Sequence, residues 1–185
     1  MKTKLALFDL DGTLFDTRSV NHQAYNKALE EYGYSINYET FASECNGRHY
    51  KVFLPQIMGG EEHMEEVHRE KKRLYQSFLK SAVANEPLFQ LIESIRGEYY
   101  TAVVTTASKE NVDQILFGFQ KEELFDLVLT QEDVHKKKPD PEGFLRAMEY
   151  FKIPPENTII FEDSDVGLEA AERSGAGVFA VKGYA

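Results

Sequence analysis

The chain has a single cysteine, no long apolar run and no surplus of positive charge. Each scarcity removes a class of function. Cys45 alone cannot make an internal disulfide, which fits a reducing compartment. The N-terminal apolar run from Leu5 to Phe8 breaks off at Asp9. It is too short for the apolar core of a signal peptide and far too short to cross a bilayer, so a cytoplasmic protein is expected. Lys and Arg number 21 against 31 Asp and Glu, a formal net charge of −10. That leaves no electrostatic footprint for a nucleic-acid polymer or an anionic membrane. An anionic substrate would need positive potential built locally. The histidines show no zinc spacing, since His63 and His68 do not share a helical face. No internal repeat or low-complexity tract is present.

There is ample material for a core in 185 residues that are 42% hydrophobic, with 13 Phe and 10 Tyr. The length suits one domain, or one domain carrying an insertion. Short apolar runs end abruptly in polar residues. Lys4 to Phe8 runs into Asp9, Asp11 and Gly12. Tyr99 to Val104 runs into Thr105 and Thr106, and Thr158 to Phe161 into Glu162 and Asp163. Gly177 to Val181 is similar, and Leu127 to Leu129 is a shorter candidate. Helical patterns over Glu86 to Ile95, Glu110 to Phe117, Pro141 to Phe151 and Val166 to Arg173 separate them. This alternation predicts an α/β fold, a Rossmann-like parallel sheet with helices on both faces.

The stretch from Asp16 to Asn85 breaks the alternation and contains no predicted strand. A helix is predicted over Arg18 to Glu31, closed by Gly33. A longer one is predicted over Glu61 to Leu79, with Met64, Val67, Leu74 and Phe78 on a face that packs against sibling helices. Cys45 reads as a small filler in this region. The expected organisation is an α/β core of residues 1–15 and 86–185, with a small all-helical domain of residues 16–85 inserted after the first strand.

In open parallel sheets, ligands bind at the carboxyl ends of the strands. The chemically capable residues fall there. Asp9-Leu10-Asp11-Gly12-Thr13 places two aspartates two positions apart, an arrangement that a divalent cation relieves of its repulsion. Gly12 allows a turn that brings backbone close to a ligand. Lys138 stands before Pro139, Asp140 and Pro141, a well-marked helix start in which Asp140 can cap. The preceding Lys136 and Lys137 suit a solvated run better.

Asp9-Leu10-Asp11-Gly12-Thr13 resembles the first motif of the haloacid dehalogenase-like superfamily, most of whose members are magnesium-dependent phosphatases. Val103-Val104-Thr105-Thr106, Lys138-Pro139 and Phe161-Glu162-Asp163-Ser164 resemble the second, third and fourth motifs, in the family's order. The helical insertion sits where the subfamily with a small helical cap places it. The likeness is greatest to the β-phosphoglucomutase and phosphoglycolate phosphatase branch, and it covers essentially the whole chain. The chain ends sooner after its last strand than is common in the family, which implies a shortened sheet edge.

The resemblance implies roles that the chemistry of the side chains can fill. Asp9 is the expected nucleophile, forming an aspartyl-phosphate, and Asp11 the general acid and then base. Mg²⁺ is the expected cofactor, held by Asp9, the backbone carbonyl of Asp11 and Asp163, with Glu162 ligating directly or through water. Thr106 is expected to donate to the phosphoryl group, with Thr105 as the alternative if the strand ends one residue earlier. Lys138 supplies positive charge beside Asp9. Gly12 and Thr13 complete the loop facing the substrate. Ser108 and Lys109 are further candidates to reach the phosphate, and Ser108 could equally cap the next helix. Arg48, following Gly47, and His49 are the candidates for reading the distal part of the substrate.

The leading expectation is therefore hydrolysis of a small phosphorylated metabolite, with no nucleic-acid polymer and no membrane as partner. A phosphomutase is the first alternative. Asn21 argues against it, because it falls where mutases of this branch carry a histidine and His22 is one position out of register. A dehalogenase and a phosphonatase both fit poorly, since those branches lack an acid at the position of Asp11. A response-regulator receiver would place its acceptor aspartate after a later strand. A non-catalytic module binding phosphate or Mg²⁺ is the alternative of another class.

Overall fold

The computed structural model describes residues 2–46 and 48–182. The strands are β1 (Lys4–Phe8), β2 (Phe15–Asp16), β3 (Val83–Ala84), β4 (Tyr99–Val104), β5 (Leu127–Leu129), β6 (Thr158–Glu162) and β7 (Gly177–Ala180). The α-helices are α1 (Arg18–Glu30), α2 (Tyr38–Thr40), α3 (Tyr50–Met58), α4 (Met64–Tyr75), α5 (Glu86–Ile95), α6 (Lys109–Gly118), α7 (Glu142–Phe151) and α8 (Asp165–Ser174). The chain divides into two compact units, Met1–Asp16 with Val83–Ala185, and Thr17–Ala82. No helix among the described residues is long and apolar enough to cross a membrane.

The first unit is a parallel five-stranded sheet in the order β5-β4-β1-β6-β7. The central strand β1 is the most apolar stretch, and Leu5, Ala6, Leu7 and Phe8 are all fully buried. A strand covered on both faces has no polar alternation, which is why β1 reads as a plain apolar run. Leu5 and Leu7 point to one face, where they meet Phe144, Ala147 and Met148 of α7 and Ala170 and Ala171 of α8. On β1 and β6, Phe8 and Phe161 stack at 4.7 Å. Short polar side chains fix where the helices begin. Asn85 caps α5, Ser108 caps α6 and Ser164 caps α8, each accepting from a backbone N–H in the first turn. Because caps are local in sequence, these three helices start within one residue of their predicted positions.

At the start and end of the helical stretch, β2 and β3 form a two-residue antiparallel pair, Phe15 opposite Ala84 and Asp16 opposite Val83. No strand is predicted there, because two residues are too few to show a period of two.

The second unit is helical. Its core gathers Tyr25, Ala28 and Leu29 of α1, Phe53, Leu54 and Met58 of α3, and Met64 and Val67 of α4, with Ile36, Phe41 and Cys45. The buried Cys45 fills space, as expected. Helix α1 ends at Glu30, and Gly33 turns the chain at φ +80° with its N–H on the Glu30 carbonyl. Helix α4 is shorter than predicted. It starts at Met64, after His63 in the left-handed region, and passes into a tighter 3₁₀ turn over Gln76–Ser81. Its buried face runs through Met64, Val67, Lys71 and Tyr75, so Leu74 and Phe78 are only partly covered. The Lys71 ammonium lies 5.3 Å and 4.8 Å from the Tyr25 and Tyr75 ring centres. That lets a charged residue occupy an apolar face. Helix α3 is not predicted at all, because Pro55 inside it breaks the helical pattern.

Candidate active site

Three neighbouring strands deliver the site. Asp9 follows β1 and continues its ladder, donating its N–H to the Phe161 carbonyl at 3.0 Å. Glu162 is the last residue of β6, and Thr105 and Thr106 follow β4. The parallel register holds these positions level, with Phe8 opposite both Val103 and Phe161.

Lys138 joins all three strand ends. Its Nζ donates to Asp9 Oδ1 at 2.6 Å, to Glu162 Oε1 at 2.5 Å and to the Val104 carbonyl at 3.1 Å. Its side chain is 8% exposed, beside 9% for Asp9 and 0% for Glu162. Each ammonium N–H thus has an acceptor. A buried lysine in this setting stays charged. Burial alone would lower its pKa, but the two carboxylates outweigh that and raise it. Asp9 moves the opposite way. Burial drives its carboxyl well above the usual range, Lys138 opposes this, and Glu162 adds to it. Asp163 is pushed up to about 6, again by burial, with Glu162 adding and the Thr13 hydroxyl opposing.

Asp9, Glu162 and Asp163 offer carboxylate oxygens within 4.8 Å of one another. Burial is the main reason that two of the acids have raised pKa values, and the Glu162 carboxylate adds to the shift in both. Hard oxygen donors in this number and spacing fit a divalent cation, whose charge would reverse both shifts.

Glu162 stands apart from the other two acids. Its Oε2 accepts from Asp163 N at 2.9 Å, from Ser164 N at 3.0 Å and from Ser164 Oγ at 3.1 Å, while Oε1 takes Lys138. Both oxygens are therefore engaged, Oε2 by the start of α8 and Oε1 by Lys138. The geometry requires Gly167, which sequence reasoning missed. A Cβ there would lie 1.9 Å from Glu162 Oε1. The available signal was a glycine inside an otherwise helical run, where it costs about 1 kcal/mol against alanine and so needs a reason.

The Asp9-to-Thr13 loop is equally constrained. Gly12 adopts φ +91°, and a Cβ on it would meet Asp163 Oδ2 at 2.1 Å. The turn closes through Gly12 N to the Phe15 carbonyl at 2.7 Å. Thr13 is fully buried and donates to Asp163 Oδ1 at 3.0 Å, so its hydroxyl orients that carboxylate. Asp11 is half-buried and forms a backbone bridge with Phe15.

After β4, Thr105 is buried and its hydroxyl accepts from Ala107 N at 3.0 Å, whereas Thr106 is exposed. Ser108 Oγ caps α6 through Asn111 N. Lys109 pairs with Asp113 at 2.7 Å on the surface of the same helix. Arg48 and His49 belong to the helical unit. Arg48 is exposed and donates from Nη1 to the Glu44 carbonyl at 2.9 Å. His49 caps α3 by accepting from Lys51 N, and its ring stacks on Tyr50 at 4.6 Å. Gly47 lies outside the described residues.

The chain is similar to proteins of known name along nearly all its length. A phosphorylated carbohydrates phosphatase of Thermotoga maritima is 30% identical over 176 residues, spanning 91% of this chain and 80% of the relative. The fructose-1-phosphate phosphatase YqaB of Escherichia coli is 26% identical over 171 residues, 91% of each. The crystal structure of CbbY from Rhodobacter sphaeroides in complex with phosphate superposes with a TM-score of 0.82 at 25% identity, over 98% of this chain and 87% of that one. The sequence profile of the haloacid dehalogenase-like hydrolases matches residues 6–181, and the chain therefore belongs to that family of enzymes.

Proposed function

We propose that this hydrolase is a Mg²⁺-dependent phosphatase that cleaves a small phosphate monoester through an aspartyl-phosphate on Asp9. The observation that carries the reading is the Lys138 ammonium held between Asp9 and Glu162 at 2.6 and 2.5 Å, beside Asp163. A charged lysine fixed against a nucleophilic carboxylate offsets the repulsion between that carboxylate and a phosphoryl dianion. With one oxygen tied to Lys138, Asp9 keeps a single rotation and presents its carboxylate to phosphorus in line. Asp11 donates a proton to the leaving oxygen and later takes one from the attacking water. Thr106 donates to a phosphoryl oxygen, since it is exposed at the strand end where Thr105 is buried.

Asp9, the Asp11 carbonyl and Asp163 would hold Mg²⁺, which when bound shields phosphoryl oxygens from the anionic nucleophile. Glu162 acts through Lys138, because both its oxygens already accept hydrogen bonds. Residues 16–85 serve as the substrate-selecting cap, with Arg48 and His49 as its reading side chains. The names of the Thermotoga and Escherichia relatives support a substrate of sugar-phosphate size.

The surroundings of two residues favour hydrolysis over phosphoryl transfer to a second hydroxyl. Asn21 spends its side-chain amide on the Thr17 carbonyl and hydroxyl, at 3.1 and 3.2 Å. His22 Nε2 sits 2.8 Å from the Ile36 carbonyl, and its ring packs on Tyr38 and Phe41. Neither supplies the free imidazole of the mutases. The test is phosphate release from p-nitrophenyl phosphate and a panel of phosphorylated metabolites, with and without Mg²⁺. Turnover that needs Mg²⁺ and disappears in Asp9→Asn supports the reading. Silence of the wild type across the whole panel removes it.

A further inference from the structure

Lys138 is brought to Asp9 by residues 134–141, a segment with neither helix nor strand. A long side chain on an irregular loop does not reach two buried carboxylates within hydrogen-bond distance unless the backbone beneath it is anchored. The anchor is Glu142, in the first turn of α7. Its Oε1 accepts from His135 N at 2.9 Å and its Oε2 from Lys136 N at 2.8 Å. One carboxylate thus grips two successive amides, ending two residues before Lys138. The helix bearing it is itself fixed, because Phe144, Ala147 and Met148 are buried against the sheet. The carboxylate is only 20% exposed, and it keeps a second, weaker partner in Arg146 Nη1 at 3.3 Å. Other ties on the loop include Asp140 N on the Lys137 carbonyl at 3.0 Å, Arg173 on the Pro139 carbonyl at 2.9 Å, Asp140 Oδ1 accepting from Glu142 N at 3.1 Å, and side-chain pairs of Lys137 with Gln131 at 3.1 Å and Lys136 with Asp140 at 3.8 Å. None of these takes the His135 or Lys136 amide.

We infer that Glu142 is a positioning residue for the reaction, clamping the 135–136 backbone so that the Lys138 ammonium stays between Asp9 and Glu162. This rests on the catalytic reading of Lys138 given above, so the test pairs a readout that needs turnover with one that does not.

The first readout is kcat and KM for p-nitrophenyl phosphate. Glu142→Ala should lower kcat about 10- to 100-fold, the loss typical of a catalytic group displaced by about 1 Å, with KM little changed. Glu142→Gln keeps the length and helix preference of the side chain but presents a donor to one amide. It should lose kcat in the same direction. Arg146→Ala leaves both amide bonds intact and should stay within about twofold of wild type. The second readout is the rate of acetylation of each lysine by an amine-reactive ester, followed by mass spectrometry. In both Glu142 variants Lys138 should react several-fold faster than in wild type, while the buried Lys71 of the helical unit is unchanged. Unchanged acetylation of Lys138, or Lys138 and Lys71 rising together, overturns the inference. A kcat equal to wild type in Glu142→Ala does the same. If wild-type protein hydrolyses no ester, the phosphatase reading falls, and the acetylation rates still decide whether Glu142 holds the lysine.

Discussion

Replacing Gly167 by alanine would ordinarily stabilise a helix, by about 1 kcal/mol from propensity. Here the sign should reverse. The added Cβ would sit 1.9 Å from Glu162 Oε1, 2.0 Å from Cδ and 2.2 Å from Oε2. It therefore falls about 1.5 Å short of ordinary contact. Glu162 is fully buried and accepts from Lys138, Asp163 N, Ser164 N and Ser164 Oγ. Moving its carboxylate breaks charge-assisted hydrogen bonds worth about 1.5–3 kcal/mol each. Moving α8 instead disturbs its packing at about 1–3 kcal/mol. The cheaper of the two responses, set against the propensity gain, leaves a net loss of up to about 2 kcal/mol. In a chain of this size that lowers Tm by up to about 8 °C. Thermal unfolding of Gly167→Ala, Glu162→Ala and the double variant tests the argument. With the carboxylate gone the methyl has room, so adding Gly167→Ala to Glu162→Ala should raise stability by up to about 1 kcal/mol. A higher Tm for Gly167→Ala alone refutes the reasoning, as does an equal loss in both backgrounds.

Other consequences are equally direct. Gly12→Ala meets both a left-handed φ and Asp163 Oδ2 at 2.1 Å. It should weaken Mg²⁺ activation by at least tenfold in a titration of activity against metal, as about 1.4 kcal/mol of lost site geometry would. His68 stacks on Tyr50 at 3.7 Å and lies 3.0 Å from the Tyr25 hydroxyl, and burial beside Lys72 and Lys71 lowers its pKa to about 4. Its ordinary value is 6.5, so between about 6.5 and 4 the unfolded chain binds the proton first. Stability is therefore full above about pH 6.5 and falls as pH drops toward 4. Chemical denaturation at several pH values should show that slope, and His68→Gln should flatten it. Arg48→Ala should raise KM for the physiological ester more than for p-nitrophenyl phosphate, which has little beyond its phosphate to be read. Equal effects on both would take Arg48 out of that role.

Much of the fold can be read from local pattern, because its parts are locally determined. The buried strands are apolar runs, and Asn85, Ser108 and Ser164 mark helix starts within a turn of the bonds they make. What escapes is whatever depends on a partner far along the chain. Helix α3 hides its period behind Pro55, and β2 and β3 have only two residues each, 67 positions or more apart. The same division runs through the site. Asp9, Lys138, Glu162 and Asp163 stand out as residues, and the sheet order brings them together. Their separate duties do not stand out. Thr13 turns out to orient Asp163 across 150 positions, and Glu162 to anchor Lys138 across 24. Gly167 shows in the sequence only as a glycine inside a helical run and Glu142 only as an acid in a first helical turn, because one acts by lacking a side chain and the other by holding backbone.

The central claim is that Asp9 attacks phosphorus, and trapping the intermediate tests it most directly. In Asp11→Asn the proton for a poor leaving group is lost, but p-nitrophenolate departs without one, so the first half-reaction proceeds and the second stalls. Acid-quenched Asp11→Asn protein, mixed with p-nitrophenyl phosphate and Mg²⁺ and then digested, should yield the peptide containing Asp9 with the mass of one added phosphoryl group. The same peptide in Asp9→Asn should stay unmodified. An adduct on any other residue, or Asp9→Asn protein that still turns over ester at the wild-type rate, would contradict the account.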